Sequence, residues 1–482
     1  MTTPRTGSQT TGSPAAGSQT TAGPATEKPF GWRFTLPLLL GSTLNPVNSS
    51  MIATGLVGIA ADFHTGPGTT ANLVSVQYLC SAVAQPTMGK LSTLFGPRRI
   101  FLIGVAILLA GGGIGGVAPN FDVLLLSRAL IGIGTSGCYP TAMALVRRRA
   151  DRAGVGVPSR VLGNFSIAAQ ITVVIGLPVG GVLAGAFGWR SLFLVNVPLA
   201  MITLAFAFFA VEKDPPSPRE GRARTIAAID LPGIALFGVV IVSLLLFLSG
   251  LRTPKWWLLA LTTALTVALL LWERRAPQPL LDVRMLAANG PLQRTYLRQT
   301  LLGLGVYTAL YGASQWMQDA AGHSATAVGL IMVPLSATSI VGSRLASSKG
   351  WVRWPLVIGA VSLVATGAVM LTITTSSGVA VLIGMSVLFG LTNGFGGFAN
   401  QATLYTQSPA ETIATAAGLL RTFAYLGAIF SASVIGMAFG SHITDAGFHR
   451  LAWVIVAIGA SSLLLTVLDR RIPVKVDSTN GR

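Results

Sequence analysis

The amino-acid sequence predicts an all-α integral membrane protein of about fourteen membrane-crossing helices. Three observations predict it: a chain too poor in charge to face water, a regular series of apolar runs of bilayer length, and basic residues that alternate with those runs. Of 482 residues, 51% are hydrophobic and 10% charged, against roughly 25% charged in a soluble chain, so lipid must cover most of the surface. The 56 glycines suit helices that pack closely in lipid.

Apolar runs occupy residues 34–60, 70–93, 100–118, 123–146, 161–186, 191–211, 228–249, 255–272, 296–317, 325–347, 354–374, 379–404, 414–439 and 449–468. A helix rises ~1.5 Å per residue and needs about 20 residues to cross ~30 Å of hydrocarbon, so each run is one crossing. Ahead of them, residues 1–29 are rich in Thr, Gly, Ser, Pro and Gln and repeat GSQTT. They read as a disordered tail, and they lack the apolar core of a signal peptide.

The basic residues orient the array. With the N-terminus in the cytoplasm and alternating loops, 27 of the 33 fall on the cytoplasmic side, in clusters such as Lys90, Arg98 and Arg99 or Arg147, Arg148, Arg149 and Arg152. The outside keeps Arg190, Arg252, Lys255 and Arg450, and Arg128 and Arg421 lie inside apolar runs. This bias is the positive-inside rule, and a missed helix would destroy it, so both termini are expected in the cytoplasm. The net charge of +18 is thereby spent on topology and not on one nucleic-acid-binding surface.

Other classes lose support on residue type. Cys80 and Cys138 lie within apolar runs, and four scattered histidines show no ligand spacing, which argues against a disulfide scaffold or a metal site. No phosphate-binding glycine loop marks an ATP motor. No nucleophile–base set marks an enzyme, and no cofactor is expected.

The chain also repeats itself. Residues 89–104 (GKLSTLFGPRRIFLIG) align with 343–358 (SRLASSKGWVRWPLVI), bringing Lys90 onto Arg344, Leu91 onto Leu345, Gly96 onto Gly350 and Arg99 onto Arg353. Both segments leave one helix on the basic side and enter the next, as in transporters built from parallel halves around a central site.

At these residues the sequence resembles a family. Gly89 to Arg99, with Gly89, Gly96, Arg98 and Arg99 as its fixed points, resembles motif A of the major facilitator superfamily, G-x-L-a-D-r-x-G-r-R. Arg128 to Gly134 resembles motif B. Gly176, Pro178, Gly180 and Gly181 resemble motif C, the glycine–proline signature of exporters, and Trp189 to Pro198 resembles the entry to the sixth helix. The pair of runs within 228–272, opening with Asp230-Leu231-Pro232-Gly233, resembles the fourteen-helix drug:proton antiporter branch. The resemblance implies two pseudo-symmetric six-helix bundles, residues 30–211 and 291–470, joined by a 212–290 linker holding two extra helices, with tails at 1–29 and 471–482. It implies export of small amphiphilic organic molecules, drugs or secondary metabolites, by proton-coupled alternating access. An importer or facilitator of the same fold without proton exchange, and a non-transporting receptor or scaffold, are the other readings. The partners expected are the lipid bilayer, a small organic substrate and protons, with a monomeric chain. With 27 of 33 basic residues arginine and much Ala and Gly, the source reads as a GC-rich bacterium and the address as its inner membrane.

The sequence departs from the family pattern in four places. Thr93 stands where motif A has an aspartate that holds the cytoplasmic side closed, so that latch must be weaker or built elsewhere. Ile131 replaces a glutamine of motif B, motif C has its proline one place late, and Asn48 aligns with an aspartate of the branch.

Candidate site residues follow from polarity at membrane depth. All fifteen acids lie in loops or within about two turns of a helix end, so no acid of the sequence supplies a mid-membrane proton carrier; Asp319 and His323, at the outer end of their helix, are the nearest titratable candidates, with interfacial solvation as the alternative reading. Arg128 costs ~2.5–3.5 kcal/mol at the helix centre, less with snorkelling toward the outer end. It reads as a cavity-facing cation for an anionic substrate group or a proton step, or as a structural donor to neighbouring carbonyls. Arg421 sits two turns into its helix. Asn45 and Asn48, Gln85, Tyr307, Tyr311, Gln315 and Asn393 complete a mildly polar lining, with packing as the alternative reading.

Overall fold

A computed structural model describes residues 30–65, 67–215, 229–249, 254–323, 325–440 and 443–475. The expected tail at 1–29, most of the 471–482 tail and part of the 212–290 linker lie outside these residues. The chain is all-helical, and among the described residues an isolated bridge between Trp351 and Lys475 is the only β pairing.

The helices are α1 (Trp32–Met51), α2 (Leu56–Asp62), α3 (Pro67–Phe95), α4 (Pro97–Gly116), α5 (Phe121–Arg152), α6 (Ser159–Phe187), α7 (Ser191–Leu194), α8 (Asn196–Ala210), α9 (Leu231–Ser249), α10 (Trp256–Arg275), α11 (Val283–Ala288), α12 (Gly290–Asp319), α13 (Ala325–Lys349), α14 (Arg353–Met370), α15 (Val379–Gln407), α16 (Ile413–Phe439) and α17 (Asp445–Leu468). Among the described residues, ten segments are long and apolar enough to cross a membrane. Helices α1, α3, α6 and α12 are of comparable length, 20, 29, 29 and 30 residues, and carry more of the polar groups described below.

Local chemistry sets the ends. Asn120 caps α5 by accepting from the Val123 N–H, Asp122 sits in the first turn, and Arg149 and Arg152 close the last, all matched to the helix dipole. Two runs read as single crossings are interrupted. The first breaks into a 3₁₀ turn at Ile52–Thr54, where Gly55 packs on Leu192. The run at 191–211 splits at Val195, because Pro198 has no N–H to give the Leu194 carbonyl that ends α7.

The loops sort to two ends. At the basic end, Asp214 accepts from the backbone N–H groups of Arg98 (3.3 Å) and Arg99 (2.9 Å) and pairs with Arg148 (2.8 Å). There too, Asp469 pairs with Arg294 (3.0 Å) and Arg298 (2.9 Å). At the far end, Asp62 accepts from Trp189 Nε1 (2.7 Å), and Asp445 accepts from Trp316 Nε1 (2.9 Å) and the Thr375 N–H (3.1 Å).

Packing repeats between the halves. In the first half α3 packs on α5, α4 on α5 and α8, and α1 on α5, α6 and α8. In the second, α13 packs on α15, α14 on α15 and α17, and α12 on α15, α16 and α17, partner for partner. Two seams join the halves: α3 against α16, and α6 against α13. Helices α9 and α10 pack on each other, and α9 lies along the first seam, touching both α3 and α16.

The extra pair is tied to α3 at the basic end. Lys90 Nζ donates to the Gln278 carbonyl. Beside it, Asp230 accepts from Trp272 Nε1 (2.8 Å) and the Leu280 N–H (2.8 Å), and Glu273 from the Leu281 N–H (3.2 Å). Lys90, Asp230 and Glu273 are all buried.

Candidate functional site

Small residues let the halves touch through backbone at the basic end. In the first seam a Cβ on Gly89 would lie 2.6 Å from the Ala414 carbonyl oxygen, and one on Gly418 would lie 2.5 Å from that of Gln85. Thr422 Oγ1 donates across to the Ala82 carbonyl (2.8 Å). In the second seam the Ser166 and Ser343 hydroxyls share a hydrogen bond (3.1 Å), and Gly163 leaves room for the Ser347 side chain. Tyr405 adds a bond from α15 to the Met143 carbonyl of α5 (2.9 Å). Toward the far end the second seam differs: a Cβ on Gly181, Gly185 or Gly329 would meet nothing within 4 Å, and Ile175, Val182, Leu330 and Val333 are exposed. Among the described residues, then, contact between the halves concentrates at the basic end.

Where the first seam reaches mid-helix, a polar and aromatic cluster begins. Asn45 on α1 donates to Ser81 Oγ (3.0 Å) and Thr135 Oγ1 (2.8 Å), which fixes its amide with the oxygen toward Tyr425. Tyr425 on α16 donates to that oxygen (3.0 Å) and accepts from Gln85 Nε2 (3.0 Å). The Tyr78 ring stands 5.6 Å from that of Tyr425. Arg421, one turn before Tyr425, lays its guanidinium over the Tyr139 ring at 4.1 Å. Tyr307 and Tyr311 stack on each other at 5.7 Å on α12. Tyr307 lies within electrostatic range of Arg421, Tyr78 and Tyr425, and Tyr311, though exposed, neighbours Tyr78. Helices α1, α3, α5, α12 and α16 thus converge their polar side chains on one place between the halves.

Arg128 borders this cluster on its far side. The side chain is 2% exposed, so the snorkelling expected from its position is not what it does. Its Nε donates to the Leu73 carbonyl of α3 (3.0 Å), Nη2 has no hydrogen-bond partner among the described residues, and Tyr78 is its electrostatic neighbour. A single carbonyl leaves a buried guanidinium, with five N–H donors, underserved.

The other candidates go elsewhere. Asn48 is engaged in a reciprocal amide pair with Asn196 (2.7 and 2.9 Å), within the first half. Gln315 and Asp319 are exposed near the far end of α12, and Asn393 is half-buried on α15. Tyr425, Tyr139, Ser81 and Thr135 were not among the sequence candidates. The stripe Gln77, Ser81 and Gln85, each four residues apart on α3, and Tyr425 four after Arg421, carry the helical spacing that identifies them.

The motif glycines have separate duties. Gly96 has φ of 97°, and a side chain there would strike the Asp214 carboxylate, so only glycine fits the turn into α4. Arg98 also donates to the Phe208 carbonyl (2.7 Å). Thr93, in the place of the absent aspartate, donates among the described residues only to the Lys90 carbonyl of its own helix (2.7 Å). Asp214, arriving from beyond α8, supplies the carboxylate instead, and it binds within the first half. Gly176 and Gly180 sit against Ser50 and Met51 of α1, letting α6 approach α1 closely, while Gly181 is open. Pro178 lies within α6; its side chain is outside the described set.

Comparison with known proteins places this architecture. A model of the Major Facilitator Superfamily matches residues 38–432. The uncharacterized MFS-type transporter YwoD of Bacillus subtilis is 33% identical over 440 residues, covering 90% of this chain and 96% of that protein. The tetracenomycin C resistance and export protein of Streptomyces glaucescens is 25% identical over 429 residues, covering 86% and 77%. Among solved structures, the proton:xylose symporter XylE superposes with a TM-score of 0.65 at 14% identity, over 93% of this chain and 98% of the symporter.

Proposed function

The chain belongs to the Major Facilitator Superfamily, and from that premise we propose that it is a secondary active transporter exporting small amphiphilic organic molecules by alternating access in exchange for protons. The observation that carries this reading is the polar, aromatic cluster lying between two repeated halves that touch mainly at one end. Such a site reaches one face at a time if the halves rock about it. We read α1, α3, α4, α5, α6 and α8 as six crossings, α9 and α10 as two, and α12 to α17 as six, the fourteen of the drug:proton antiporter branch. The basic end is then cytoplasmic, by the positive-inside rule, in a bacterial plasma membrane. In that orientation the described arrangement is closed to the cytoplasm.

Support for export comes from the close fit of Gly176 and Gly180 against α1 and from relatives named for resistance and export. The central cluster contains no carboxylate among the described residues, and this favours a second reading, a facilitator or importer without proton exchange. A growth-inhibition screen separates them. Overexpression in an efflux-deficient bacterium is expected to raise the inhibitory concentration of some amphiphilic compounds at least fourfold (about a twofold step is ordinary scatter). Unchanged or lowered tolerance across a broad compound set would argue for the second reading.

A further inference from the structure

We propose that the central cluster takes planar aromatic anions, with the ring laid against tyrosine faces and the negative group on Arg421. This rests on the reading of the cluster as the transport site and names the chemistry that site selects.

Charge comes first. The acids that the structure describes in ion pairs and caps are engaged near the helix ends: Asp62 by Trp189, Asp214 by Arg148 and Asp469 by Arg298 are typical. The cluster and its border hold two guanidinium groups and, among the described residues, no carboxylate to balance them. Arg421 makes no ion pair among the described residues; its partner is the face of Tyr139 at 4.1 Å. A guanidinium on a ring keeps its edge N–H donors available, and they match a planar carboxylate two at a time. Arg128 adds a second cation, 2% exposed, with Nη2 unpartnered among the described residues.

Shape follows from the aromatics. Tyr78 and Tyr425 stand 5.6 Å apart, Tyr307 and Tyr311 stack at 5.7 Å, and the Tyr139 face backs Arg421, so aromatic rings neighbour both cations. A planar ring gains offset stacking there, which a flexible aliphatic chain does not. The Tyr425 hydroxyl is held from both sides, by Gln85 and Asn45, so its ring is fixed in orientation before the ligand arrives. An aromatic cation meets the same faces but is repelled by both arginines.

The test uses two dyes with one ring system and opposite charge, the anionic fluorescein and the cationic tetramethylrhodamine methyl ester. Binding to the purified full-length chain is read by fluorescence anisotropy at equilibrium, where neither transport direction nor proton exchange enters. Fluorescein is expected to bind at least tenfold more tightly than the rhodamine. Arg421→Ala should weaken fluorescein binding at least tenfold and Arg421→Lys less, with unfolding temperatures near that of the unaltered chain. Equal or tighter binding of the rhodamine, no binding of fluorescein, or full fluorescein affinity in Arg421→Ala would overturn the proposal. The two readings fail separately: fluorescein binding through Arg421 by a chain that protects against no compound sinks the export reading alone, whereas export of cations only sinks the anion site alone.

Discussion

Gly418→Val and Gly89→Val are expected to stop transport almost completely while the chain still inserts and folds. A Cβ on Gly418 would lie 2.5 Å from the Gln85 carbonyl oxygen and 2.8 Å from the Pro86 Cα, and one on Gly89 would lie 2.6 Å from the Ala414 carbonyl oxygen. Those atoms are backbone and cannot rotate away, so α3 and α16 must separate. Overpacking of this kind costs ~1–3 kcal/mol, enough to bias a two-state balance strongly away from the closed arrangement. The check is flux together with maleimide labelling of Ser343→Cys, made in a background lacking Cys80 and Cys138. Ser343 is buried in the second seam at the same end. Labelling should rise severalfold in Gly418→Val. Wild-type flux with unchanged labelling would show that the close approach is not needed for turnover.

Asp469→Asn should produce the largest loss of stability among single substitutions at the basic end. Asp469 receives Arg294 and Arg298 at 3.0 and 2.9 Å, and the Arg298 side chain is 1% exposed. Removing the carboxylate charge leaves Arg298 buried with the Thr295 hydroxyl as its remaining described partner. Breaking one side of a buried pair typically costs ~3–5 kcal/mol. The pH dependence has a definite sign. Burial pushes the Asp469 carboxyl up, but the hydrogen bonds from Arg294 and Arg298 more than offset it and hold the group below its ordinary 3.8. The stability it contributes is therefore fully present above that ordinary value and is lost only as pH falls below it. Thermal unfolding in detergent should show the wild type unaffected by Asp469 titration between neutral pH and about 5. Asp469→Asn should unfold at a markedly lower temperature throughout that range.

Much of the helical array could be read directly, because lipid imposes one rule on every crossing: enough consecutive apolar residues to span the bilayer. The interruptions were harder, although Pro198 marks one of them through its missing N–H. The site was legible in part. Arg128, Arg421, Asn45, Gln85, Tyr307 and Tyr311 stand out as polar or aromatic groups in apolar runs, and the fold brings them between the halves. What each of them does there was not legible. Gln85 meets Tyr425 across 340 positions of sequence and Asn48 meets Asn196 across 148, and helical spacing carries no information at that range. Asn45 and Asn48, one turn apart, looked alike, yet one faces the seam and the other stays within its own bundle. The replacement for the motif A aspartate was likewise hidden, since Asp214 reaches Arg98 and Arg99 from a loop beyond α8.

Proton-coupled export is tested most directly by flux into everted vesicles or proteoliposomes holding the full-length chain, with the lumen made acidic. An amphiphilic aromatic dye is expected to accumulate inside, to leave when the gradient is collapsed by a protonophore, and to show no accumulation with Gly418→Val. Accumulation that ignores the pH gradient, or none for any compound to which the chain confers tolerance in cells, would contradict proton-driven export through this site.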